Sequence, residues 1–280
     1  MAGALVGAPL LAVTGFGLYC VGHGATFLPS GVLLKASPGF ALLGNLREAP
    51  GLVVLVAAVG LVGGTGRGVY VLAAAAQLAL GRVGWFYRYE AWLVGWGVLL
   101  LIPGAARSGW RARLALGVAL IALVPRASEA VRRYPYAARF MADTDFALAD
   151  WLARDWTGTS VGVHNLGVIA WQGGVRVVDV AGLGTAELTR AITDHLLTGS
   201  GMAAVLHDRG VRFVVGSRDW RSGETPPGVT ELAAVWAPFP VPPGDFESTV
   251  VWIVDPAVAD ELRQSFAAVP WSARVRAVAP

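Results

Sequence analysis

The chain divides at about residue 125 into an almost uncharged half and an ordinarily charged one, and this division constrains the fold more than any motif does. Residues 1 to 125 hold eight Lys/Arg and only two acids, Glu48 and Glu90, whereas residues 126 to 280 hold 14 Lys/Arg and 17 acids. No charged residue precedes Lys35. A charged side chain at the centre of a bilayer costs roughly 2.5 to 3.5 kcal/mol on insertion scales, so long charge-free runs mark segments written for lipid. The expected fold is a membrane α-helical bundle of about five spans over residues 1–131, followed over residues 132–280 by a soluble α/β domain with a mainly parallel sheet. The spans are predicted at 3–22, 49–66, 68–86, 91–106 and 112–131, with four as the alternative count. Arginines at the ends of the shorter runs can snorkel to the interface. A helical bundle buried in water is a poor rival, because a mean hydropathy of +0.57 leaves few polar helix faces for solvent.

Net charge points away from nucleic acid. The formal charge of +3 arises entirely in the apolar half, while acids outnumber bases in the second half, so no solvent-facing domain is strongly basic. The single cysteine, Cys20, excludes an intrachain disulfide and any cysteine-based zinc site, and the histidines at 23, 164, 195 and 207 lack zinc-ligand spacing. There is no Walker A lysine, no dinucleotide-binding glycine fingerprint after a strand, no His-Glu-x-x-His and no Gly-x-Ser-x-Gly, so no metal or cofactor is expected. Met1 runs straight into apolar sequence with no basic n-region. That suits an uncleaved first span or a chain whose natural start lies upstream.

Loop charges do not decide the orientation, although an odd number of spans places the C-terminal domain opposite the N-terminus. The second half alternates helix and strand. An amphipathic helix is predicted over Asp143 to Asp155, with Phe146, Ala149, Leu152 and Ala153 on its apolar face. Strands are predicted at 160–164, 175–180, 211–215 and 249–254, and helices from Thr185 towards His195 and from Met202 to Arg209.

Two groups of segments stand out. The first is Phe27-Leu-Pro-Ser-Gly-Val-Leu-Leu-Lys35, followed later by Gly84-Trp-Phe-Tyr-Arg-Tyr-Glu90. The second is Val161-Gly-Val-His-Asn-Leu-Gly-Val-Ile-Ala-Trp171, then Val175-Arg-Val-Val-Asp-Val-Ala-Gly-Leu183. In this order they resemble the C-terminal portion of bacterial multispan glycosyltransferases of the GT-C type, over most of the chain. Ser30 stands where that family tends to Asn, and Asn165 where Asp is usual. The resemblance implies transfer of a sugar from a polyprenyl-phosphate carrier to a cell-envelope glycan, lipid or protein acceptor, at a bacterial inner membrane, with the C-terminal domain extracytoplasmic. It also implies a missing N-terminal portion, since the family's catalytic carboxylate lies in a first outer loop and no acid here precedes Glu48. The catalytic residue is therefore unknown.

The substrate-binding candidates are Lys35, Arg88, Glu90, His164, Asn165 and Asp179. Lys35, the only lysine, follows an apolar run and suits either a carrier phosphate or an interfacial anchor. Arg88 with Glu90 suits a phosphate or sugar hydroxyls, or a local ion pair within the aromatic belt of Trp85, Phe86, Tyr87 and Tyr89. His164 and Asn165 follow a strand, the usual place for ligand-facing polar groups, although the residues read first as a loop-capping pair satisfying backbone groups. Asp179 sits in an apolar strand and must be paired or protonated; it reads as structural, bonded to the turn after His164 or to Arg176, with a functional role as the alternative. The tryptophans of the second half suggest sugar-stacking faces, with core packing as the alternative. A second function class, a non-catalytic membrane-anchored module binding glycan or a partner protein, stays open.

Overall fold

Pro50 sets the first bend of the helical half. In the computed structural model of the chain, helix α1 (Leu42–Glu48) stops before Ala49 and α2 (Pro50–Val62) starts at the proline, the two axes meeting at 99°. Proline disfavours helical geometry in the residue before it and is tolerated in a first turn, where its missing N–H has no partner to lose. The structure describes residues 11, 14–28, 33, 42–62, 66–81, 83, 89–107, 109–193, 198–217, 226–236 and 248–278. The chain forms two compact units, Lys35–Pro135 in one and Met1–Leu34 with Tyr136–Pro280 in the other.

The first unit continues through α3 (Arg67–Leu80) and α4 (Ala91–Arg107) into α5 (Trp110–Phe140). Its core is aliphatic, with Leu52, Leu55, Val59, Ala74, Leu93, Leu101 and Ala119 buried around Tyr70. Glycines let the helices approach: a β-carbon on Gly51 would lie 2.6 Å from the Ala122 carbonyl oxygen, and one on Gly97 would lie 2.5 Å from the Tyr70 hydroxyl. Asn45 closes the end of α3, its Nδ2 donating at 2.8 Å to the carbonyls of both Leu78 and Gly81, groups that a helix leaves without intrahelical partners.

The expectation of about five spans is not met. Among the described residues one helix, the continuous run Trp110–Asp155, is long and apolar enough to cross a membrane, or two if the bent pair α1–α2 counts as one span. Helices α3 and α4 have 14 and 17 residues. At about 1.5 Å per residue they reach about 21 and 26 Å, short of a hydrocarbon core of about 30 Å. The sequence reading lengthens the first of them by joining flanking apolar residues across Gly81, where the helix stops in extended geometry. Half of the expected span at 3–22 lies outside the described residues, although 14–22 are helical. The apolar window of Trp110–Asp155 is only 6% buried, with Leu114, Val118, Ile121 and Val124 exposed.

In the second unit, the helix begun by α5 passes through a π-helical segment, Met141–Phe146, into α6 (Ala147–Asp155). A π turn inserts one residue into the α repeat and shifts the phase of the turns after it. Ala149 and Leu152 are buried as expected, whereas Phe146, expected on the same face, is 39% exposed, and Leu148 and Trp151 turn inward beside them. The chain then alternates β1 (Ser160–Val163), α7 (Leu166–Gln172), β2 (Arg176–Asp179), α8 (Ala186–Thr193), α9 (Gly199–Asp208) and β3 (Phe213–Ser217). Strands β4 (Thr230–Trp236) and β5 (Ser248–Ile253), helix α10 (Ala259–Ala267) and β6 (Arg276–Val278) complete it.

The sheet order is β2-β1-β3-β5-β4-β6. It is mixed, which corrects the expected mainly parallel sheet: β2, β1 and β3 are parallel, whereas β5 pairs antiparallel with β3 and β4, and β6 antiparallel with β4. Helices separate the first three strands, so crossovers keep them parallel, but no helix is described between β3, β4 and β5. Two apolar layers cover the sheet. Leu148, Trp151, Leu152, Ile169, Leu262 and Phe266 pack with Val161, Val163, Phe213 and Val215. On the other face Leu188, Met202 and Leu206 pack with Val178, Val180, Val214 and Val250. Alternate residues of β3 serve opposite layers, as the two-residue period of a strand requires. Ser265 Oγ accepts from the indole nitrogens of Trp151 and Trp156, both at 3.2 Å, so two core rings keep their N–H groups satisfied.

Candidate functional site

The winding of the sheet reverses between β1 and β3. The connection from β1 runs through α7 to β2 on one side, and the connection from β2 then passes through α8 and α9 to β3 on the other side of β1. Ile169 of α7 belongs to one apolar layer, and Leu188, Met202 and Leu206 of α8 and α9 to the opposite one, so the two crossovers cover opposite faces. In open α/β sheets a crevice forms at such a reversal, outside the carboxyl ends of the strands.

His164 stands at that point. It is the first residue after β1, its N–H donating to the Val215 carbonyl at 3.0 Å, which continues the β1–β3 ladder one step beyond Val163 and Val215. Gly216 makes room for it: a β-carbon there would lie 2.6 Å from the His164 Cβ. Burial holds the imidazole below its usual range, against the Asp179 charge and a hydrogen bond with Asn165, which pull it upward. The ring is therefore neutral near pH 7 and both donates and accepts. Asn165 is partly buried and immediately precedes α7.

Asp179 ends β2 in register with Val163, the neighbour of His164. Its Oδ1 accepts from the Ala181 N–H at 2.9 Å and its Oδ2 from the Gly184 N–H at 2.5 Å, so the carboxylate folds its own following loop. It does not bond to Arg176, whose Nε donates to the Gly158 carbonyl at 3.0 Å. Burial pushes the Asp179 carboxyl up, and the N–H groups of Gly184, Ala181 and Leu183 pull it back down. Gly182 takes the loop through a left-handed φ of 80°, and Thr189 on α8 donates to its carbonyl.

The other candidates lie elsewhere. Lys35 and Arg88 fall outside the described residues. Glu90 belongs to the helical unit, fully buried, with Oε1 2.9 Å from Arg126 Nη2. The sequence reading pairs Glu90 with Arg88 and misses Arg126, because a partner 36 positions away leaves no local signal. Of the tryptophans in the second half, Trp151, Trp156 and Trp252 are core residues, Trp171 on α7 is 82% exposed, and Trp220 lies outside the described residues.

Sequence reasoning also misses Asp143. It lies in the π-helical segment, its side chain nine-tenths buried, with Oδ1 accepting from Arg274 Nη2 at 3.2 Å. The Gly216 clearance escapes it as well, since only the register places that glycine across from His164.

A family model described as a domain of unknown function (DUF8728) matches residues 131–259, which run from the last turns of α5 to the first residue of α10 and include the whole His164–Asp179 region. No curated protein and no solved structure matches the chain.

Proposed function

We propose that the second unit binds a polyhydroxylated, sugar-like ligand at the carboxyl ends of β1 and β3, and that the chain is held at a membrane by its apolar helical segments. The observation that carries the ligand reading is His164 at the winding reversal, seated in the room that Gly216 leaves at the carboxyl ends of β1 and β3. A neutral imidazole and a carboxamide both donate and accept, as do sugar hydroxyls. The membrane reading rests on Trp110–Asp155, whose apolar window has almost no protein against it; in water such a surface would be left unpaired with any apolar phase.

The narrower reading, suggested by the resemblance, is transfer of a sugar from a polyprenyl-phosphate carrier to an envelope acceptor on the extracytoplasmic side. In that reading His164 is the candidate base. Burial keeps His164 unprotonated, so the ring is able to take the proton of an acceptor hydroxyl as that oxygen attacks the sugar and the carrier phosphate leaves.

The test uses the full chain in lipid nanodiscs. Saturation-transfer NMR with neutral oligosaccharides should show binding in wild type and its loss in His164→Ala, and a radiolabelled polyprenyl-phosphate sugar should transfer its label to the acceptor only if the narrower reading holds. Binding that survives His164→Ala moves the site elsewhere, and binding without transfer leaves a glycan-binding module. Release of the chain from membranes by alkaline carbonate would sink the membrane assignment, and an inactive C-terminal alkaline phosphatase fusion the extracytoplasmic one.

A further inference from the structure

At one end of the helical unit every charged residue described is an arginine. Helix α2 ends at Val62, and a β-carbon on Gly104 of α4 would lie 3.3 Å from the Val62 carbonyl oxygen, so the ends of α2 and α4 meet. A β-carbon on Gly66, just before α3, would lie 3.8 Å from Leu100 Cδ2 of α4, and Arg113 in the first turn of α5 donates through Nε to the Ala105 carbonyl at 3.2 Å. These contacts gather Arg67, which opens α3, Arg107, which closes α4, and Arg111 and Arg113 of α5. The two acids of the first 125 residues, Glu48 and Glu90, stand at the other end, beside the starts of α2 and α4. Farther along α5 basic groups meet acids, Arg126 with Glu90 and Arg133 with Glu129. Among the described residues no ion pair neutralises Arg67, Arg111 or Arg113.

The same end holds a cleft. A space of about 330 Å³ opens between the end of α2 and the start of α5, lined by Val62, Gly109, Trp110, Arg111 and Ala112. The Arg111 guanidinium lies over the Trp110 ring, 5.8 Å from its centroid, so the charge is held beside an aromatic face. Trp110 is exposed and begins the apolar run Trp110–Asp155, and the exposed Leu114, Val118 and Ile121 follow it at helical spacing on one face. An indole at the head of such a stripe sits at the headgroup level of a bilayer, and an arginine beside it reaches the phosphates.

We propose that this cleft binds the headgroup of an anionic phospholipid, with Arg111 meeting the phosphate, Arg67 and Arg113 adding to the positive field, and Trp110 lying along the glycerol and the first part of an acyl chain. This rests on the membrane reading given above and deepens it, since it fixes where α5 enters the headgroup layer. A guanidinium matches phosphate oxygens with two parallel N–H groups, and basic clusters next to a span draw anionic lipid. The apolar wall of Val62, Trp110 and Ala112, continued by Leu114, suits a lipid and gives a soluble anion nothing to pack against.

The test measures lipid binding to the full chain in neutral detergent by native mass spectrometry. Phosphatidylglycerol is the anionic probe, phosphatidylcholine the zwitterionic one, and glycerol phosphate the soluble source of the same phosphate. Wild type should bind phosphatidylglycerol more tightly than phosphatidylcholine, and glycerol phosphate should not displace it. Arg67→Gln combined with Arg111→Gln should weaken phosphatidylglycerol about fivefold for each arginine removed and leave phosphatidylcholine unchanged. Arg47→Gln combined with Arg132→Gln, which removes the same charge elsewhere in the unit, should bind as wild type does. Equal losses in the two pairs would reduce the effect to net charge and overturn the site, as would an unchanged preference in the Arg67/Arg111 pair. Displacement by glycerol phosphate would overturn a lipid as the occupant. If the Arg67/Arg111 pair does not fold, wild type decides: raising NaCl from about 50 to about 500 mM should weaken phosphatidylglycerol, because salt screens exposed charge, and an unchanged affinity overturns the proposal. Release of the chain from membranes by alkaline carbonate sinks the membrane reading and this inference together, whereas a chain retained there without a preference for phosphatidylglycerol overturns this inference alone.

Discussion

Gly216 on β3 faces His164 so closely that any β-carbon there would sit 2.6 Å from the histidine Cβ. Both atoms belong to rigid strand ends, so a side chain at 216 displaces the imidazole and strains the ladder. Gly216→Ala is expected to destabilise the protein by about 1–3 kcal/mol, the usual range for overpacking. Denaturant titration checks this, and an unchanged midpoint would mean that the strand ends yield.

Asp179 satisfies backbone donors of the loop from Ala181 to Gly184. Asp179→Ala leaves the Ala181 and Gly184 N–H groups short of an acceptor; Ala181 is partly buried and Gly184 exposed, where water replaces the lost partner, so the expected cost is about 1–3 kcal/mol in all. Asp179→Asn keeps one acceptor oxygen and should cost less. Equal stability of the two variants would show that the loop finds other partners.

Glu90 and Arg126 form a buried charged pair in the helical unit. Removing one partner of a buried pair leaves an uncompensated charge, so Glu90→Ala is expected to cost about 3–5 kcal/mol, whereas Glu90→Leu combined with Arg126→Leu should be close to neutral. Thermal unfolding in detergent distinguishes them, and a double variant as unstable as Glu90→Ala would contradict the pairing.

The pH dependence of stability should carry the signature of His164. Its folded-state pKa is lowered, so below the ordinary value of about 6.5 the unfolded chain takes up a proton that the folded one still refuses. This contribution is full above that value and is lost as pH falls through the folded-state pKa. His164→Gln should flatten the slope below about pH 6.5. Asp179, raised by burial, acts with the opposite sign at lower pH, favouring the fold as it is protonated. An identical pH profile in His164→Gln would place the imidazole in water.

Legibility in the sequence follows locality. Strands such as Ser160–Val163 and Arg176–Asp179 are short apolar runs closed by turn residues, and their periodicity suffices to find them. Strand β4, Thr-Glu-Leu-Ala-Ala-Val-Trp, is alanine-rich at its centre and is a strand because Ala233, Ala234 and Val235 pack between two layers, which no local pattern reports. The span count fails where apolar composition continues through glycine-rich breaks, since hydropathy does not register where a helix stops. For the site, His164 and Asp179 are visible as polar residues beside apolar strands. The buried Asp143–Arg274 pair is not, because its members stand 131 positions apart and leave no local signal.

Among the described residues the sheet order leaves two strands with an open side, β2 and β6, of four and three residues. Each carries an exposed arginine, Arg176 and Arg276. A row of unpaired backbone groups is a template for another chain, and short length with positive charge blunts it. Strand addition by another chain is thus opposed at both of these margins.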